Sequence, residues 1–92
     1  MAKKQQYDYA VIAIFSFDLP AQIFPCHSHT AAKEKLREFF EAEVKADEDN
    51  GWGLECQFSE DWQYAKIIDH CPNGVIDTKE WRVGVLCEPM NT

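Results

Sequence analysis

A chain of 92 residues that is 46% apolar and 27% charged suits a single hydrophobic core, so one α+β domain is expected over residues 1–92, with 1–6 and 89–92 as flexible ends. Six Phe, three Tyr and three Trp give too much burial area for intrinsic disorder. No apolar run reaches the roughly 18 to 20 residues that span a bilayer, and the opening MAKKQQYDYA lacks the apolar stretch of a signal peptide, so a cytoplasmic chain is expected.

The net charge of -7 is concentrated in one segment. Residues 41–61 hold Glu41, Glu43, Asp47, Glu48, Asp49, Glu55, Glu60 and Asp61 against Lys45 alone. Such a field repels phosphate, which argues against direct contact with nucleic acid or an anionic membrane.

Tyr7 to Phe17 (YDYAVIAIFSF) is rich in β-branched and aromatic residues on both faces, the pattern of a central strand. Pro20 and Pro25 interrupt the stretch Asp18–His27, which reads as a loop. Thr30 to Asp49 is the clearest helix. Ser28 or Thr30 can accept bonds from the first-turn amides, and Asn50 with Gly51 supplies a left-handed stop. Ala32, Leu36, Phe39, Phe40, Val44 and Ala46 form its apolar stripe. Glu43 projects into that stripe, either curling to water near the helix end or partly buried, in which case its pKa is raised.

Trp52 to Phe58 alternates apolar and polar residues and predicts a strand with one wet face. Ser59, Glu60 and Asp61 turn the chain into a second strand, Trp62 to Asp69. After the turn Cys71 to Gly74, a last strand runs over about Glu80 to Cys87, with Val75 to Lys79 as a separate short strand or a lead-in. The expected fold is a two-layer sandwich of order β-α-β-β-β. One long helix (about 30–49) packs on a mostly antiparallel sheet of three to four strands, in which the last three form a meander. A sheet with one helix leaves its far face apolar and uncovered, unless the loop Asp18–His27 folds over it.

Candidate chemistry is sparse. Cys26, His29, His70 and Cys71 can form a tetrahedral zinc site only if two loops converge, and the chain has no CxxC spacing. Cys26 before the helix, with His27 or His29 as base, is the one nucleophile arrangement available. Asp47, Asp49 and Gly51 do not fit the spacing of a calcium loop, and the four glycines form no phosphate cradle. No catalytic residue and no cofactor is assigned.

The leading expectation is a small, acidic, non-enzymatic binding protein. It would dock Glu41, Asp47, Glu48, Asp49, Glu55, Glu60 and Asp61 on a basic protein surface, with Trp52 as the desolvated anchor. By analogy of size and charge with phage or mobile-element inhibitors, it would compete there with nucleic acid. The alternatives are a structural subunit that pairs through the apolar sheet face, as homodimer or heteromer, and a small Cys/His zinc or thiol protein.

Overall fold

The computed structural model describes residues 8–16 and 18–86, with the backbone alone at Asp18 and Leu19. Tyr7, Phe17, Cys87 and the ends 1–6 and 89–92 lie outside the described residues. One helix, α1 (His29–Asp49), packs on a sheet of five strands: β1 (Tyr9–Phe15), β2 (Asp18–Cys26), β3 (Gly53–Phe58), β4 (Tyr64–His70) and β5 (Ile76–Val85). The spatial order is β2-β1-β5-β4-β3, and every neighbouring pair is antiparallel. The two-layer α+β sandwich and the meander after the helix are as expected, but the strand count rises to five.

The additional strand is β2, in the stretch expected to be a loop. Its prolines are compatible with a strand because β2 is an edge, where a residue without an N–H breaks no ladder on its outer side. It forms a hairpin with β1, placing Pro25 opposite Ala10 and Ile23 opposite Ile12, with an irregularity between Ala13 and Phe15. The helix therefore links the two edges of the sheet, and β1 meets β5 from Tyr9↔Val85 to Phe15↔Lys79. The stretch from Ile76 to Lys79 is continuous with the last strand.

The Ser28 side chain caps α1 by accepting from the Ala31 amide at 3.0 Å, and Gly51 takes the left-handed conformation beyond the C-cap, with φ 76°. Ala32, Leu36 and Phe40 are buried as expected, but the next buried residue of the helix is Asp47, while Ala46 is exposed. Seven residues bring the helix back to nearly the same direction, so Asp47 continues the line of Phe40. Ala32, Leu36 and Phe40 meet Val11, Ala13, Cys26, Ala65, Ile67 and Trp81 from one sheet face. Trp81 packs edge-on to Phe15 and Phe40, with centroids at 5.5 Å and 6.2 Å. Among the described residues no helix is long and apolar enough to cross a membrane.

Leu36 is fully buried at the centre of this contact. Leu36→Ala is expected to lower the unfolding free energy by about 2 to 5 kcal/mol, measured by urea denaturation.

Candidate functional site

The acid-rich segment runs from the end of α1 through β3 into the β3–β4 turn, and its carboxylates separate into a buried group and an exposed row. Lys79, on the helix-facing side of β5, organises the buried group. Its Nζ donates to Glu43 Oε2 at 2.7 Å and to both oxygens of Asp47 at 3.0 and 3.1 Å. Asp69 Oδ2 lies 3.5 Å away, and the Trp52 ring centroid is 5.9 Å from the same Nζ. Burial pulls the Lys79 pKa down, but the bonds it donates to Glu43 and Asp47, with their charge, outweigh this and hold it above the usual lysine value.

Asp69 is 0% exposed, and neither of its carboxylate oxygens has a hydrogen-bond partner. Burial, followed by the neighbouring Asp47 carboxylate, pushes its pKa up to about 6 against the pull of Lys79. The protonated acid can donate to Asp47, whereas the ionised one is a desolvated charge beside a second carboxylate. Asp47 is 2% exposed and bound to Lys79, which corrects its expected place in a surface patch. Glu43 is held by Lys79 and one-third exposed, so of the two readings it is the partly buried acid, paired with a cation rather than curling to water. Trp52 is half-buried against Lys79, not a free anchor.

The exposed row follows β3. Glu48 and Asp49 stand where the chain enters the strand, Glu55 lies within it, and Glu60 and Asp61 lie in the turn that leaves it; all five are exposed. A strand of six residues separates the two ends by about 20 Å. Glu41, the remaining acid of the expected patch, is paired with Arg37 at 3.1 Å on the helix surface.

The turn is held tightly. Ser59 Oγ accepts from the amides of Gln63 and Tyr64 at 3.0 and 3.1 Å. Hydrogen bonds from Gln63 and Ser59 keep the Asp61 pKa below its ordinary value. Trp62 adopts φ 59°, a left-handed conformation unfavourable for a side chain with Cβ. Its ring stacks on Phe58 at 4.8 Å and 2°, and the Arg37 guanidinium lies 5.0 Å from its centroid. Phe58 is 55% exposed, so the open aromatic beside the acids is Phe58 rather than Trp52.

The zinc candidates do not converge. Cys26 lies opposite Tyr9, which lies opposite Val85, and the His29 ring packs tilted against Tyr9 with centroids at 5.2 Å. His70 lies opposite Ile76, at the other end of the ten-residue β5, about 30 Å away, and Cys71 follows it. His70 also points to the uncovered face, where it meets Glu55 at 3.2 Å. Among the described residues no group of three or more Cys, His, Asp or Glu is placed to hold a metal ion. Nor is Cys26 a poised nucleophile: it is buried, and its Sγ donates to the Phe24 carbonyl at 3.5 Å. The Cys56 thiol is not activated either, since burial, then the charges of Asp69, Glu48 and Asp47, push its pKa up.

The sheet face away from α1, on which no element packs among the described residues, carries Ile12, Ile14, Ile23, Ile68 and Ile76, with Ile14, Ile23 and Ile76 at 43%, 56% and 56% exposure. Lys66 and Arg82 balance Glu55 and Glu80 there, so this face is close to neutral. The stretch expected as a covering loop is instead strand β2, paired at the sheet edge. Compared with known proteins, the chain matches no family model, no curated protein and no solved structure.

A raised carboxyl pKa means that the folded state holds its proton to higher pH than the unfolded state, so stability is fully present below the unfolded value near 3.8 and is lost as pH rises towards 6. Asp69→Asn is therefore expected to stabilise the protein by about 1 to 3 kcal/mol at neutral pH. The gain should shrink to nothing near pH 4 in urea titrations across that range. Lys79→Met leaves Asp47 and Asp69 buried without their cation and is expected to destabilise by about 3 to 5 kcal/mol.

Proposed function

We propose that this is a non-enzymatic binding protein that docks a basic protein surface on the acid-lined β3 edge. The observation that carries the reading is the position of Glu48, Asp49, Glu55, Glu60 and Asp61, which line one exposed strand and, among the described residues, have no lysine or arginine ion pair. Clustered charge accelerates encounter and sets orientation, and the Phe58–Trp62 stack supplies an apolar contact at the rim. A surface that normally holds nucleic acid is one basic partner this edge would suit, and the protein would then act as a competitive inhibitor. A cytoplasmic setting belongs to the same proposal, because the free thiols of Cys26, Cys56 and Cys71 suit a reducing compartment.

A second reading has its own observation. The near-neutral face of Ile12, Ile14, Ile23, Ile68 and Ile76 is where a second copy meets least repulsion, so association as a homodimer would use that face. Sedimentation separates the readings, since a face-to-face dimer persists in high salt.

Reversal of Glu48, Asp49 and Glu60 to Lys is expected to weaken capture of basic partners by more than about tenfold, with the melting temperature little changed because none of the three is buried. The control reverses Glu38 on the helix and retains capture. Raising salt from about 0.05 M to about 0.5 M should release the partner. Capture that survives both the reversal and the salt overturns the reading.

A further inference from the structure

The geometry points to strand addition: β3 binds an extended segment of alternating apolar and basic residues, which joins the sheet as a sixth strand. This rests on the acid-edge reading above and specifies the partner. Ser59 N donates to Tyr64 O at 3.0 Å, in register with Phe58↔Ala65 and Gln57↔Lys66. In an antiparallel ladder that phase gives Gly53, Glu55, Gln57 and Ser59 the bonds to β4 and turns the N–H and C=O of Leu54, Cys56 and Phe58 outward. Trp52, in the same phase, has its N–H turned away from β4 to the Asp47 carbonyl at 3.3 Å. Among the described residues no strand lies beyond β3.

The opposite edge is closed to such pairing, because β2 carries Pro20 and Pro25 and pairs irregularly with β1. β3 has no proline and only one charged side chain. The occupant follows from its neighbours. On the helix side an added strand would lie beside Leu54, Cys56 and Phe58, which favour apolar residues. On the other side it would lie beside Glu55 and Gln57, and beyond its ends are Glu48 with Asp49 and Glu60 with Asp61; all of these favour Lys or Arg. A second copy meets the opposite condition. Antiparallel pairing about Cys56 would set Glu48 and Asp49 against Glu60 and Asp61 of the other copy at both ends, like charge against like.

The test uses a blocked hexapeptide of alternating lysine and valine and a version N-methylated at the valines, which keeps the charge and removes the backbone donors facing β3. The plain peptide should bind the intact chain, the methylated one at least about tenfold more weakly, and the Leu54, Cys56 and Phe58 amides should exchange slowly only when the plain peptide is bound. Cys56→Pro removes an N–H that β4 does not use and should abolish binding while the melting temperature holds. Equal binding of the two peptides without amide protection overturns strand addition and leaves the acid-edge reading standing. Binding of neither peptide overturns strand addition, while the acid-edge reading stands or falls on the charge-reversal and salt tests above. Protection of those amides without peptide, together with a dimer in sedimentation, makes a second copy the occupant and overturns the proposal.

Discussion

The arrangement of this molecule depends on one ammonium group shared by three carboxylates. Lys79 reaches from β5 to Glu43 and Asp47 on α1 and lies beside Asp69 on β4, so it ties the C-terminal half of the helix to the middle of the sheet. An ion cluster this deep gains little net stability over an apolar contact, because desolvation offsets most of the attraction. Its effect is on position. The Asp47 carbonyl accepts from the Trp52 amide, so the anchored helix end also sets the path by which the chain enters β3.

The cluster also divides the acidic residues by role. Glu43 and Asp47 are neutralised inside the molecule, and within the acid-rich segment the carboxylates that remain open among the described residues are those on either side of β3 and within it. The two sheet edges are consequently unlike. β2 is blocked by the backbone chemistry of proline, which no change of salt alters. β3 is guarded only by charge, which repels another acidic edge and attracts a basic one. A guard of that kind is selective where proline is merely prohibitive.

Much of this was legible in the sequence. The helix followed from its cap, its stop and its stripe, and the meander from alternation between turns, because local chemistry decides both. The Asp18–Cys26 strand was not legible: proline reads as an interruption until the strand is known to be an edge, which is a property of the whole sheet. The role of Asp47 was missed for a related reason. Its spacing from Ala32, Leu36 and Phe40 already placed it on the buried face, but a carboxylate there is tolerable only with a cation opposite, and Lys79 is 32 residues away. The acidic segment was recognised as a unit, whereas its division into an internal cluster and an outer row needed the fold. The αL conformation of Trp62 carried no local signal, since glycine is the residue that normally marks such a position.

Magnitudes set the character of the binding. Three outward residues on β3 offer about six backbone hydrogen bonds, each worth roughly 0.5 to 1.5 kcal/mol net of water. Ordering six residues of a flexible segment costs about 1 to 2 kcal/mol each, so the backbone ladder alone does not hold a disordered peptide. The surplus must come from the side-chain row beside Leu54, Cys56 and Phe58, from the carboxylates at the two ends, or from a segment already extended in its own protein. The last removes the largest opposing term. A basic strand preformed at the edge of a partner's sheet therefore fits β3 better than a free tail of the same sequence, and the short length of the edge makes such a complex readily reversible.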